Sequence, residues 1–160
     1  MLSTKLSLIS QIALLIYIEV IEWVNLFPWN EIRRGNGQAG LDIAIGAVMI
    51  AAIIATLLRL RIVMVIAAAL YSIWLWLQID TWWVGYFTGA SPTWKRTYAR
   101  FFSQTVQILP RDADHLPPDA CHFVLQVLIV VALATTVFAI ISLWRSGHAT
   151  LLTRATATGK

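Results

Sequence analysis

LDIAIGAVMIAAIIATLLRLRIVMVIAAALYSIWLWLQIDTWWVGYF, residues 41–87, carries the architecture of this chain. Two apolar runs, 41–58 and 62–87, flank the tight basic turn Arg59-Leu60-Arg61. At ~1.5 Å per helical residue, ~18 residues are just enough to cross a thin bilayer. The second run is longer than a crossing needs and therefore tilts or projects beyond the hydrocarbon. A short basic turn between two such runs predicts a transmembrane helical hairpin whose turn sits at one membrane face.

On the N-terminal side of the hairpin, residues 6–27 form an earlier apolar run, stopped by Pro28 and followed by NEIRRGNGQAG with Gly35, Gly37 and Gly40 as a turn-rich loop. Lys5 before this run resembles the start of a signal peptide. The run is too long, however, and lacks a small-x-small cleavage site, so it is expected to be a retained helix. Residues 120–144 make a fourth run, and 146–160 are small, polar and basic, as in a flexible tail. The expected fold is an all-α integral membrane protein. Four transmembrane helices form an up-down bundle over residues 1–145, with one amphipathic interfacial helix between the third and fourth. That helix is predicted over 92–109, where Trp94, Tyr98, Phe101, Phe102, Ile108 and Leu109 recur at helical steps between Ser91 or Thr93 and Pro110. An extended Pro-rich strap should then lead to Asp119 as the N-cap of the fourth helix.

Composition agrees with a membrane domain. Of 160 residues, 59% are hydrophobic and 12% charged, and the mean hydropathy is +0.73; soluble domains are about a quarter charged. The net charge of +4 comes from basic residues scattered over loops and tails, which argues against nucleic acid. A single cysteine, Cys121, excludes an internal disulfide and a CxxC centre. No phosphate cradle or serine elbow occurs, and no cofactor is expected.

All eight acidic residues fall toward one end of the spans: Glu19, Glu22, Glu31, Asp42, Asp80, Asp112, Asp114 and Asp119. Lys and Arg divide six and six between the two ends, but Arg59, Arg61 and Arg145 abut helix termini, which predicts that both chain termini are cytoplasmic in an inner or plasma membrane. Trp29, Trp82, Trp83, Tyr86, Phe87 and Trp94 gather at the acidic end as an interfacial belt.

Ionisable groups in hydrocarbon need a reason. Glu19 and Glu22 share a face of the first span, continued by Asn25, and Glu19 lies about 10 Å below the acidic boundary. On the third span Tyr71, Trp74, Gln78 and Trp82 form one stripe, while Asp80 falls on the line of Trp76 and Trp83; one of the two lines must face the bundle. Asp119, His122 and Gln126 share a face of the fourth span, and His115 could approach them. The ligand-binding candidates are therefore Glu19, Glu22, Asn25, Trp74, Gln78, Asp80, Trp82, His122 and Gln126. Catalytic candidates are Glu22, Asp119 and His122, and His115, Asp119 and His122 are weak metal candidates without a defining signature. The second span offers only Asp42 and a small-residue seam, Ala47, Ala51 and Ala55 beside Gly46.

Three functions are compatible with this pattern. One is binding or transport of a small amphipathic or cationic ligand in a carboxylate- and Trp-lined pocket of the non-cytoplasmic leaflet, with proton coupling at Glu19. Another is a membrane enzyme acting on a lipid-like substrate by acid/base chemistry. A third is an accessory subunit that docks a membrane partner through Arg33, Arg34, Lys95, Arg96 and Arg100. Expected partners are the lipid bilayer, an amphipathic or cationic ligand or lipid, and a second copy or another membrane protein.

Overall fold

The helices follow the apolar runs, except that the first begins at Leu2 and ends at Trp23, four residues short of the end expected before Pro28. The computed structural model describes residues 2–32 and 38–158, with Gln38 and 147–158 described by backbone alone. The expected loop glycines Gly35 and Gly37, together with Arg33 and Arg34, lie outside the described residues. Helix α1 spans Leu2–Trp23, α2 Gln38–Leu57 and α3 Arg61–Ile79. A π-helical turn at Asp80–Val84 carries α3 into the short α4, Gly85–Thr88. Helix α5 spans Pro92–Phe101, and α6 spans Ala120–Thr158. Among the described residues, four stretches are long and apolar enough to cross a membrane: Leu2–Trp23, Ala39–Leu57, Arg61–Thr88 and Ala120–Ser146. The chain is a polytopic membrane protein by helix length and composition. Its α6 backbone continues through the segment assigned to a tail, where no proline intervenes.

The helices close a four-sided bundle in which α1 and α3 each pack against both α2 and α6. At the hairpin the Leu60 amide donates to Ala55 O (2.8 Å) and that of Arg59 to Thr56 O (3.2 Å). This is a Schellman closure with Arg59 in the left-handed region at φ 56°. The core is built from small and branched residues. Leu14, Ile18, Met49, Ala52, Ala67 and Ile129 fill its centre, and Ala55, Met64, Ala68, Ala139 and Ile140 fill the hairpin end. Alanines let the backbones approach, which is how helices associate when lipid is as apolar as their side chains. Of the expected small-residue seam, Gly46 and Ala55 are buried and Ala47 and Ala51 exposed, and Ala52 joins the buried pair where α2 closes onto the bundle. Large apolar side chains such as Ile43, Ile62, Ile73, Trp76 and Phe138 point outward, as a hydrocarbon-facing surface requires.

Between the two core clusters lies a polar layer. Gln11 Nε2 stands 2.9 Å from Ser7 Oγ, 3.0 Å from Thr56 Oγ1 and 2.9 Å from Thr136 Oγ1, joining three helices.

Helix α5 starts as expected: Ser91 Oγ accepts from the Trp94 amide at 3.1 Å, and Pro92 occupies the first turn. It ends at Phe101 instead of 109. It ends early because the Val106 amide is drawn to Pro28 O (3.0 Å). From there the chain pairs with the strap, with Ala120 N donating to Val106 O at 2.7 Å and an antiparallel bridge between Gln107 and Asp119.

Candidate functional site

The stripe of Tyr71, Trp74, Gln78 and Trp82 is the one that faces inward; Asp80 and Trp76 are exposed. The sequence-predicted site residues are then distributed over five places.

At the acidic end, Trp82 is buried beneath α5. Its ring centroid lies 5.2 Å from Trp94, 5.1 Å from Phe102 and 4.5 Å from His122. Trp82 lies within the π turn, whose extra residue rotates α4 relative to α3. Asp119, 1% exposed, caps α6 and organises its neighbours. Its Oδ1 accepts from the His122 amide (2.8 Å) and lies 2.8 Å from His122 Nδ1, while Oδ2 accepts from Thr105 Oγ1 (3.1 Å). The carboxylate thereby fixes the imidazole, with Nδ1 committed and Nε2 left over. Tyr98 OH donates to Pro117 O at 3.0 Å, and burial pushes that phenol up to about 12 even with the Arg111 guanidinium over its ring. Below this cap Trp83 Nε1 donates to Gln126 Oε1 (2.7 Å), and Gln126 Nε2 and Gln78 Oε1 are buried without hydrogen-bond partners.

His115 belongs elsewhere. It pairs with Asp112 on the exposed strap, with Nδ1 2.8 Å from Oδ2. Asp112 is held down to about 2 by the His115 and Asp114 backbone amides that donate to it, with the His115 ring adding to the effect. The two Asp–His pairs are separate, and among the described residues no three His, Cys, Asp or Glu side chains converge on a metal-sized point.

Glu19 occupies a third place, against the backbone of α2. A Cβ on Gly46 would lie 2.5 Å from Glu19 Oε1, so the missing side chain makes the space that the carboxylate fills. Gly46 is eight residues into α2, or about 12 Å along it, which places Glu19 well inside the span. Among the described residues Glu19 has no hydrogen-bond or ion-pair partner. Glu22 and Asp42 continue the same two faces toward the acidic end, and both are engaged. Asn25 is exposed beyond the end of α1.

The fourth place is a groove between α2 and α3. Leu41, Ala44, Val48 and Met49 face Leu70, Tyr71 and Trp74 across a volume of 350 Å³. It continues toward the hairpin as a smaller 160 Å³ pocket lined by Ala51, Val63 and Ile66. Tyr71 lines both parts and is 4% exposed, and its hydroxyl is buried with no partner. Sequence reasoning placed Tyr71 on the stripe and missed this consequence; a phenol midway along an apolar span was the available signal. Gln11, Thr56 and Thr136 were also missed, although each is a polar residue inside an apolar span.

Asp80 shares none of these places. It lines an open cavity of 380 Å³ beside α4 and the start of α5, with Thr81, Thr88, Ser91, Thr93 and Trp94. No family model, no curated protein and no solved structure matches the chain.

Proposed function

From a four-span membrane domain with a groove between α2 and α3, we propose that the protein binds an amphipathic molecule drawn from the bilayer. The apolar part of the ligand lies in that groove and a polar group satisfies Tyr71. The buried, unpartnered Tyr71 hydroxyl carries this reading. Leaving such a group unsatisfied costs about 1–3 kcal/mol, and an occupant with an acceptor or donor removes the penalty. The main groove volume of 350 Å³ falls within the range of roughly 300–1,000 Å³ usual for small-molecule sites. Trp74 adds an aromatic wall, which favours an occupant with a cationic or extended apolar portion. Glu19, unpaired within the span, is the group through which binding would couple to protons.

The test is ligand retention after gentle detergent extraction, read by native mass spectrometry. Wild-type protein should carry one amphipathic adduct. Ala44→Trp, which fills the groove from its exposed α2 wall, should abolish the adduct, and Tyr71→Phe should weaken it about tenfold, the equivalent of one lost hydrogen bond in a buried site. Undiminished retention in Ala44→Trp refutes the groove as the binding site.

A further inference from the structure

The groove and the Asp80 cavity lie on one face of one helix. Leu70, Leu77 and Thr81 recur at steps of seven and four residues, along α3 to the start of the π turn. Leu70 lines the groove, while Thr81, Val84 and Thr88 line the cavity. From Leu70 to Thr81 the helix rises about 16 Å, close to half of a ~30 Å hydrocarbon core. A molecule with its chain at the depth of Leu70 would therefore hold its headgroup at the depth of the cavity.

The cavity's chemistry specifies that headgroup. Asp80 presents an exposed carboxylate that no described residue pairs or hydrogen-bonds. Thr81, Thr88, Ser91, Thr93 and Thr97 line the same cavity, together with Gly85 and Gly89. Trp94 Nε1 is a buried donor without a partner. A Cβ on Gly85 would lie 3.9 Å from Trp94 Cδ1, so the pyrrole edge that carries Nε1 is the edge turned toward α4. Arg96 Nη2 donates to Thr93 Oγ1 at 3.3 Å, which brings a guanidinium to the rim. One carboxylate among neutral hydroxyls is a poor donor set for a hard divalent ion, which takes six or more oxygens and several charges. It suits an organic ammonium, which a carboxylate and an aromatic ring hold together. The indole donor and the guanidinium suit the phosphate that accompanies such an ammonium in a lipid.

We propose that the Asp80 cavity is a headgroup site for an aminophospholipid, in which Asp80 takes the ammonium and Trp94 Nε1 with Arg96 the phosphate. This goes beyond the groove reading and does not depend on it, since a ligand that satisfies Tyr71 brings a polar group to a depth where this lipid has only its chain.

The experiment uses full-length protein in nanodiscs of equal phosphatidylethanolamine and phosphatidylglycerol, with bound lipid read by native mass spectrometry. Wild type should retain phosphatidylethanolamine over phosphatidylglycerol by about tenfold, the scale of one charge-assisted contact. Asp80→Asn should bring the ratio to parity, and Asp80→Glu should restore a preference. Circular dichroism should report unchanged helix content in both. A ratio of one in wild type, or a preference that survives Asp80→Asn, overturns the headgroup site, and the groove reading then stands if Ala44→Trp still strips both lipids. Should Ala44→Trp leave retention intact while Asp80→Asn abolishes the preference, the groove reading fails and the headgroup site stands. Displacement of the lipid by soluble phosphoethanolamine at equal concentration would overturn the lipid as the source of the headgroup.

Discussion

Gln11→Leu removes the amide at the centre of the polar layer, and the local hydrogen bonds set its effect. The Nε2 atom lies near three hydroxyls, on Ser7, Thr56 and Thr136. An amide nitrogen carries two hydrogens, so only two of these contacts form at once. At about 0.6 kcal/mol for each interhelical bond in a membrane, their loss amounts to about 1.2 kcal/mol. Against this, Gln11 Oε1 is buried without a partner, and removing such an orphan recovers about 1–3 kcal/mol. The abandoned hydroxyls keep other partners: Ser7 and Thr136 share a bond of 3.0 Å, and Thr56 donates to Ala52 O at 3.0 Å. The two effects nearly cancel. Gln11→Leu is expected to leave stability within about 1 kcal/mol of wild type or to raise it. Unfolding in mixed micelles titrated with sodium dodecyl sulfate, monitored by far-ultraviolet circular dichroism, measures the difference. A loss of about 3 kcal/mol or more would contradict this balance, because it exceeds anything the two contacts can supply.

Other contacts give further expected outcomes. Gly46→Val should destabilise the bundle by about 1–3 kcal/mol, since its side chain would displace the Glu19 carboxylate. Glu19→Ala should rescue it, and a micelle-unfolding double-mutant cycle with no coupling would contradict the packing. Asp119→Ala should cost about 3 kcal/mol by stranding the amide and the ring Nδ1 of His122; chemical denaturation checks this, with Thr105→Ala expected to cost less, because Thr105 Oγ1 also reaches Phe102 O at 2.9 Å. Arg59→Gly should stabilise by about 1 kcal/mol because it relieves a left-handed non-glycine residue, a gain readable in the same titration. Asp112 has a folded value of about 2, lowered from 3.8. Its contribution to the strap is therefore complete above about pH 4 and lost as pH falls through the folded value. Hydrogen exchange at the Asp114 and His115 amides should accelerate over that interval, and Asp112→Asn should remove the pH dependence.

Much of the architecture was legible in the chain. Apolar runs of bilayer length, ended by Pro28, Arg59-Leu60-Arg61 and the strap prolines, correspond to the four spans. Asp119 caps α6 and Ser91 caps α5 because a short acceptor just before a helical run has a free amide to meet. The end of α5 was not legible. The periodicity continues to Leu109, and only the pull of Val106 toward Pro28, a partner distant in sequence, breaks the helix after Phe101.

The candidate site divides along the same line. Hydropathy and charge placed carboxylates and aromatic residues toward one end, since hydrocarbon excludes them wherever they lack a purpose. Helical spacing also defined two lines on α3. Neither property states which line meets the bundle, because both are rotationally ambiguous until a neighbour is present. Packing between helices resolved the ambiguity: it turned Tyr71 and Trp82 inward and left Asp80 outside. It also set Glu19 against Gly46, a contact between helices that no local pattern encodes. Spans, polar end and helix caps were written in the chain, because they depend on local chemistry and on water against lipid. The division of the acids among a dyad, a glycine seat and an open cavity came from the assembled bundle, because it depends on shapes contributed by distant parts of the chain.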